Sequence, residues 1–323
     1  MEISNTEKKQ THSQSGIEIS IVVPLYEESQ SVEELVNRIH EVLGEGSYEV
    51  ILVDDGSKDN TWDEIKRLRA QYRWIHGIRL QRNYGKSTAL QAGFDNVRGR
   101  YVVTMDGDLQ DDPAEIPEMI GMLRENGSDL VSGWKKHRND PITKTIPSRF
   151  FNFVTRMVTG IRLHDFNCGL KAYRRDVIEH IHLHGELHRY VPLLANWEGF
   201  DRIAEKEVTH HARKYGKTKF GLSRFMHGFL DLLTLIFVHN YMSRPMHLFG
   251  SIGVLSLVVG GGINLYMAYI KIIHDQALAD RPLLYLGILL MIVGAQFFSI
   301  GFFGDMINRR QRKREQPNIR DRI

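Results

Sequence analysis

Asp106-Gly107-Asp108 sets two carboxylates two residues apart, with Gln110 close behind. At the end of a strand such a pair can hold a hard divalent cation that bridges diphosphate oxygens, and Gln110 can add a neutral oxygen ligand. The cation would serve as Lewis acid and template without changing oxidation state. A D-x-D triplet also occurs as a helix cap or a solvated loop, so its surroundings decide. Asp54-Asp55-Gly56-Ser57 is a second acidic cluster. A carboxylate there can accept hydrogen bonds from a nucleobase while Gly56 permits close backbone approach; Asp55 and Ser57 can also simply cap a helix starting near Asn60.

These residues need a scaffold, and the chain spells one out. Short β-branched runs (Ile19–Val23, Val50–Val53, Ile75–Leu80, Tyr101–Met105 and near Leu130–Ser132) alternate with amphipathic segments (Val32–Leu43, Trp62–Tyr72, and stretches after Gly85 and Pro113). That rhythm predicts βαβ units: an α/β fold with a mixed, mostly parallel sheet flanked by helices. Ligands of such sheets bind beyond the carboxyl ends of the strands. Strand one ends in Pro24-Leu25-Tyr26-Glu27-Glu28, strand two in the D-D-G-S cluster and strand four in Asp106-Gly107-Asp108-Leu109-Gln110, so three acidic strand ends converge on one edge. Between about Ser132 and Gly216 the periodicity weakens and Arg, Lys, His and Asn become common. An acceptor side is expected there.

The C-terminal third has a different character. Phe220–Tyr241 is apolar on most faces but interrupted by Arg224, His227, Asp231 and His239, which suits a helix lying in a membrane interface. Met246–Ile270 and Leu283–Gly304 carry no charge, and about 20 apolar residues suffice to span a bilayer. The expected division is a flexible polar tail at 1–16, a catalytic domain at 17–218, an interfacial helix region at 219–244, a transmembrane hairpin at 245–307 (spans 246–272 and 283–306) and a basic tail at 308–323. Arg309, Arg310, Arg312, Lys313 and Arg314 follow the second span directly. By hairpin parity and the positive-inside rule, the tail and the catalytic domain belong in the cytoplasm. Gly253, Gly260, Gly261 and Gly262 allow close helix packing within one chain or across a homo-oligomer.

Composition narrows the class. The 323 residues are 42% hydrophobic and 25% charged, with a formal charge of +3. A buried core is expected, and the basic cluster beside an apolar span speaks for membrane topology and against nucleic acid. Cys168 is the single cysteine, so neither an internal disulfide nor a thiolate-rich zinc site can form. No apolar secretory core occupies the first sixteen residues.

Ile21-Val22-Val23-Pro24-Leu25-Tyr26-Glu27-Glu28, the D-D-G-S segment, Asn83-Tyr84-Gly85-Lys86 and D-G-D-L-Q-D-D-P together resemble family 2 glycosyltransferases of GT-A fold, in order and spacing. Asn167-Cys168-Gly169-Leu170-Lys171-Ala172-Tyr173-Arg174-Arg175, Arg213-Lys214-Tyr215-Gly216-Lys217-Thr218-Lys219 and two terminal spans resemble, more narrowly, the dolichyl- or polyprenyl-phosphate sugar transferases. The resemblance implies that Pro24, Tyr26, Glu28 and Asp55 line a nucleotide-sugar pocket, with Lys86 near ribose or phosphates. It implies that Asp106, Gly107 and Asp108 contact the donor and that Asp106, Asp108 and Gln110 surround Mg²⁺ or Mn²⁺. The acceptor would be a polyprenyl monophosphate, already ionised and needing no dedicated base.

Orientation and charge management then remain for the protein. Lys135, Arg149, Arg213 and Lys217 are the candidate cations for the acceptor phosphate, because Arg offers paired planar donors and Lys a compact charge. Arg149 can also be an ordinary surface arginine, and Lys135-Lys136 a solvated loop. Asp165 either orients one of these cations or faces the sugar, so that Asp108, Asp165 and Arg213 form the catalytic set. Cys168 reads as packing, with no adjacent base to mark a nucleophile.

Other motifs fail on spacing. Gly85-Lys86-Ser87-Thr88 looks like the end of a P-loop, but the earlier glycine that loop requires falls at Leu80. His210-His211 would point to opposite sides of a strand, and no H-E-x-x-H occurs. A membrane polysaccharide synthase would share the donor site, yet the expected Q-x-x-R-W is missing and one hairpin encloses no polymer channel. A non-catalytic sugar-nucleotide-binding membrane scaffold is the alternative from another class. The leading expectation is inverting, metal-dependent transfer of a single sugar to a polyprenyl phosphate.

Overall fold

The structure, a computed structural model, describes residues 16–136, 152–157, 159–212, 214–215, 245–274 and 281–312, with side chains to 306 in the last stretch. The chain divides into two compact units, Met1–Gly228 and Phe229–Ile323.

The first unit is built on seven strands: β1 (Ile19–Leu25), β2 (Tyr48–Asp54), β3 (Ile75–Arg79), β4 (Tyr101–Thr104), β5 (Leu130–Trp134), β6 (Lys171–Arg174) and β7 (Ile203–Glu207). Their spatial order is β3-β2-β1-β4-β6-β5-β7. All pairings are parallel except those of β6, which runs antiparallel to both β4 and β5. The expected mixed, mostly parallel α/β sheet is what forms. The central strands are covered on both faces, which explains why β2, Tyr-Glu-Val-Ile-Leu-Val-Asp, is buried at every position.

Helix α1 (Val32–Leu43) buries Val32, Leu35, Val36 and Ile39, and α4 (Ile116–Glu125) buries Ile116, Met119, Ile120 and Leu123. Both follow the i, i+3, i+4, i+7 stripe of a helix lying on a core. With Ile65 and Leu68 of α2 (Thr61–Gln71), they join Ile21, Val23, Val50, Leu52 and Val103 from one face of the sheet. The opposite face receives α3 (Lys86–Phe94). A Cβ at Gly93 would fall 2.3 Å from Val22 Cγ1, so the helix can lie this close only with glycine there. Two further short helices, α5 (Arg175–His180) and α6 (Val191–Trp197), belong to the same unit.

β1 has β2 on one side and β4 on the other, so the connectivity reverses direction between β1 and β4. That is the switch point at which such sheets open a crevice. Pro24 helps to open it. The β1–β2 ladder continues to Leu25–Asp54, whereas the β1–β4 ladder stops at Val22–Thr104, and Pro24 has no N–H with which to extend it.

The second unit contains α7 (Ser251–His274), entered through a π turn at Met246–Gly250, and α8 (Pro282–Arg312). Met246–His274 and Pro282–Met306 are long and apolar enough to cross a membrane, with mean hydropathies of 1.8 and 2.2. Only 17% and 11% of their most apolar windows is buried, unlike the core helices of a soluble protein. Glycines set their contact. A Cβ at Gly253 would lie 2.7 Å from Phe298 N, and one at Gly260 would lie 2.7 Å from the Gly287 carbonyl. Gly261 and Gly262 face open space, so two of the four expected glycines make the helix contact. The interfacial-helix segment Phe220–Tyr241, the first fifteen residues and the side chains of the basic tail lie outside the described residues.

Candidate active site

Three loops meet beyond the ends of β1, β2 and β4. Asp55 is 4% exposed, and its two carboxylate oxygens accept the Tyr84 and Gly85 N–H groups at 2.8 and 2.9 Å. Burial pushes its pKa up, and those two hydrogen bonds work against the rise. Of the two roles weighed for Asp55, capping of the helix near Asn60 is not what it does. Asp59 takes that task, accepting the Thr61 N–H at 3.1 Å, while Asp55 pins the loop before α3. Gly56 has φ of +69°, and a Cβ there would lie 2.4 Å from the Arg82 carbonyl carbon. The close approach that glycine permits is therefore by this same loop.

The P-L-Y-E-E and D-G-D-L-Q loops each hold a residue in the left-handed region, Glu27 with φ of +55° and Leu109 with φ of +61°. Among the described residues they are the only non-glycines there, a conformation costing about 1–2 kcal/mol each. Leu109 is 2% exposed, and its burial in the core holds that turn in place. Ser57 Oγ accepts the Glu27 N–H at 2.9 Å, tying the first loop to the second. Tyr26 is half-buried at the end of β1, and the Glu28 carboxylate accepts the Ser31 hydroxyl at 3.1 Å.

Asp106 lies at the centre. One of its oxygens contacts the Lys86 ammonium at the first residue of α3. A Cβ at Gly169 would fall 2.6 Å from both Cγ and Oδ2 and 2.8 Å from Oδ1, so the N-C-G-L-K turn forms a wall against the carboxylate. Burial opposes its ionisation, but the charges of Lys86 and Lys135 outweigh burial and hold Asp106 well below the usual carboxylate range. Gly107 packs under Leu25, where a Cβ would sit 2.3 Å from Leu25 Cδ2. Asp108 Oδ1 accepts the Gln110 N–H at 3.2 Å.

The Gln110 amide nitrogen lies 3.4 Å from His210 Nε2 and from the His211 carbonyl oxygen. The segment after β7 runs beside the loop, with an antiparallel bridge between Asp111 and His210. His211 Nε2 lies 2.8 Å from Asp112 Oδ2, so the two histidine rings do engage different partners. Arg213, Lys217 and Arg149 lie outside the described residues.

Lys135 is directed inward and pairs with Asp111 Oδ1 at 2.7 Å, with side chains 13% and 0% exposed. Burial alone would lower its pKa, but Asp111 overrides this and raises it. The solvated-loop reading of Lys135 therefore fails. Asp165 is 1% exposed, and its carboxylate accepts the Asn167 N–H at 3.1 Å, shaping the start of the N-C-G-L-K turn. Cys168 is buried, and burial pushes its thiol up to about 12, as befits a packing residue.

Three residues without an assigned role belong to this centre. Lys171, 3% exposed, donates to the Cys168 carbonyl, and burial depresses its pKa. Gly169 is the wall already described. His188 arrives from a 3-10 turn at Leu187–Arg189: its Nδ1 lies 2.9 Å from Ser87 Oγ, which accepts the His188 N–H at 3.0 Å. Burial, reinforced by the Lys86 charge, holds this imidazole well below its ordinary pKa and thus neutral. Gly169 and Lys171 stood inside a motif whose family likeness was visible; nothing in the spacing around His188 marks it.

Among the described residues no three His, Cys, Asp or Glu side chains form a metal cage. Asp106 and Asp108 offer hard oxygen donors, which fits a cation of the Mg²⁺ kind, commonly held by one or two carboxylates and completed by substrate phosphates and water.

The glycosyl transferase family 2 pattern matches residues 20–182. Dodecaprenyl-phosphate galacturonate synthase of Rhizobium johnstonii is 40% identical over 299 residues, covering 91% of this chain and 88% of that one. Undecaprenyl-phosphate 4-deoxy-4-formamido-L-arabinose transferase of Shewanella sediminis is 34% identical over 311 residues, covering 92% and 89%. In fold, the chain is similar to glucosyl-3-phosphoglycerate synthase from Mycobacterium tuberculosis, solved with Mn²⁺, UDP-glucose and phosphoglyceric acid. That likeness has a TM-score of 0.54 at 20% identity, over 68% of this chain and 80% of the other. With a switch point between β1 and β4, an acidic loop at the end of β4 and relatives matched over nine-tenths of its length, the chain belongs to glycosyl transferase family 2.

Proposed function

We propose that this glycosyltransferase moves one sugar from a nucleoside diphosphate sugar to a polyprenyl monophosphate at the cytoplasmic membrane face, with inversion at the anomeric carbon. The observation that carries the proposal is the meeting of Lys86 with Asp106, two residues before Asp108, at the β1–β4 switch point, in a chain whose long relatives are named as polyprenyl-phosphate sugar enzymes. A phosphate oxygen of the acceptor attacks the anomeric carbon, the bond to the nucleoside diphosphate breaks, and a single in-line displacement inverts the centre. The acceptor is already anionic, so no general base is required.

The chain's residues orient and neutralise. Pro24, Tyr26, Glu28 and Asp55 bound the nucleotide side, Gly107 lets the loop lie close to the donor, and Lys86 meets the phosphates. Asp106 and Asp108 would hold Mg²⁺ or Mn²⁺, which when bound offsets charge on the departing diphosphate; Gln110 serves that loop through its bonds to the 210–211 segment. Lys135 supports the acidic loop from beneath. Arg149, Arg213 and Lys217 receive the acceptor phosphate, with Asp165 shaping the adjoining turn. The α7–α8 hairpin supplies attachment to the bilayer that carries the acceptor.

The test uses the full chain in detergent, a panel of nucleoside diphosphate sugars and a short-chain polyprenyl phosphate, read by mass spectrometry of the lipid. A single added sugar, lost on Asp108→Ala with the fold intact by circular dichroism, is the expected result. Wild-type turnover in that variant overturns the metal assignment. Lipids carrying many sugars would instead establish a polymerase, and donor binding without any lipid product a scaffold.

A further inference from the structure

We infer that Lys86 is a resident stand-in cation, its ammonium occupying in the free enzyme the place at Asp106 that a divalent metal takes together with the donor. The inference rests on the reading of Asp106 and Asp108 as metal ligands. It adds an order to binding: metal binds tightly only alongside a diphosphate that receives the displaced lysine.

Lys86 is built into position from both sides. The residue before it, Gly85, is held through its N–H by Asp55 on the loop after β2, and the residue after it, Ser87, is held by His188 from a turn distant in sequence. Asp55 and Ser87 are both buried, so the backbone that carries Lys86 is fixed and only its flexible side chain can carry the ammonium from Asp106 to a ligand. Asp106 is equally confined, with the Gly169 wall against both of its carboxylate oxygens. Their contact is nevertheless accessible, the two side chains being 26% and 31% exposed. A ligand entering the crevice can reach it.

The charges complete the case. Around this centre Asp106 and Asp111 are each paired with a lysine, Lys86 and Lys135, and the buried Lys171 adds a further positive charge. A bare divalent cation therefore meets an Asp106 carboxylate already paired, and its entry would leave the Lys86 ammonium next to a second positive charge. A diphosphate reverses the balance by accepting that ammonium. Metal and nucleotide must then raise each other's affinity by the same factor.

Removing the ammonium should consequently move two affinities in opposite directions. An ordinary structural ion pair would not do so: its loss would weaken both. A lysine that only touches phosphate would leave bare-metal binding unchanged. The experiment uses the full chain in detergent, with Mn²⁺ alone titrated by electron paramagnetic resonance and UDP titrated calorimetrically at saturating Mn²⁺. Lys86→Met and Lys86→Gln should bind bare Mn²⁺ about tenfold more tightly than the wild type and UDP about tenfold more weakly, about 1.4 kcal/mol each way. A gain in Mn²⁺ affinity in either folded variant supports the inference. Mn²⁺ affinity unchanged or reduced in both overturns it, while loss of Mn²⁺-dependent UDP binding in Asp106→Asn would keep the metal reading intact. Wild-type Mn²⁺ and UDP binding in Asp106→Asn would overturn that reading and this inference together.

Discussion

The parallel half of the sheet, β3-β2-β1-β4, and the half that begins with β6 handle polarity in opposite ways. In the first, Ile21, Val22 and Val23 make an apolar strand interior, the buried Glu49 stands at the amino-terminal end of β2 tied to Arg98, and the other buried charges, Asp54 and Asp55, gather at the carboxyl end. In the second, Lys171 and Asp165 are themselves buried, and Lys135 is nearly so. The reversed direction of β6 explains the difference. Because β6 is antiparallel to β4, its first residue, Lys171, lies opposite Thr104, the last residue of β4. The turn that enters β6 therefore arrives at the same edge as the loop that leaves β4, and Gly169 lands against Asp106. One half thus presents the acidic loops together with Lys86, and the other supplies the Gly169 wall and the Lys135 counter-charge.

The comparison breaks most visibly at Gly169. Gly169→Ala should displace the Asp106 carboxylate and lower kcat/KM by about 100-fold, the scale expected when a catalytic group is misplaced by about 1 Å. Thermal unfolding should change little, and activity retained within about twofold would show that the wall does not position Asp106. On the parallel half the opposite outcome is expected. Gly93→Ala drives a methyl into Val22 and should cost about 1–3 kcal/mol of stability by overpacking, while kcat per folded molecule is kept. Denaturant unfolding with an active-site titration separates the two quantities.

A smaller effect concerns pH. The folded-state pKa of His188 lies below its unfolded value of about 6.5, so the unfolded chain binds the proton more readily. Stability linked to this residue is complete above about pH 6.5 and is lost as the pH falls from there toward the folded-state value. His188→Asn should flatten that part of the acid-side decline in thermal midpoint. An unchanged pH profile in the variant would show that the imidazole is not held neutral by its surroundings.

Much of the parallel half was legible in the chain. α1 falls at the expected Val32–Leu43, α2 begins one residue before the expected Trp62, and α3 starts directly after Gly85. Local periodicity suffices there because each strand and helix buries one repeating stripe. β6 and β7 were not legible. β6 is four residues long and β7 has the polar pattern Ile-Ala-Glu-Lys-Glu of an edge strand, so neither carries a distinct apolar period. In the hairpin, composition and length alone identified the two apolar helices, since a span has only to be long and charge-free.

For the site, the types and spacing of Asp106 and Asp108 raised the expectation of diphosphate chemistry, and the family resemblance added Lys86 to it; strand-end loops of a parallel sheet share one edge whatever their distance in sequence. Their partners were a different matter. The sequence by itself determined which charged groups the chain owns and which strands carry them. Only the tertiary structure decided that Lys86 meets Asp106, that Lys135 meets Asp111 and that His188 reaches Ser87 across 101 residues. The physical reason is that periodicity reports which face of an element is buried, whereas the pairing of buried charges depends on strand order and direction, which no local pattern encodes.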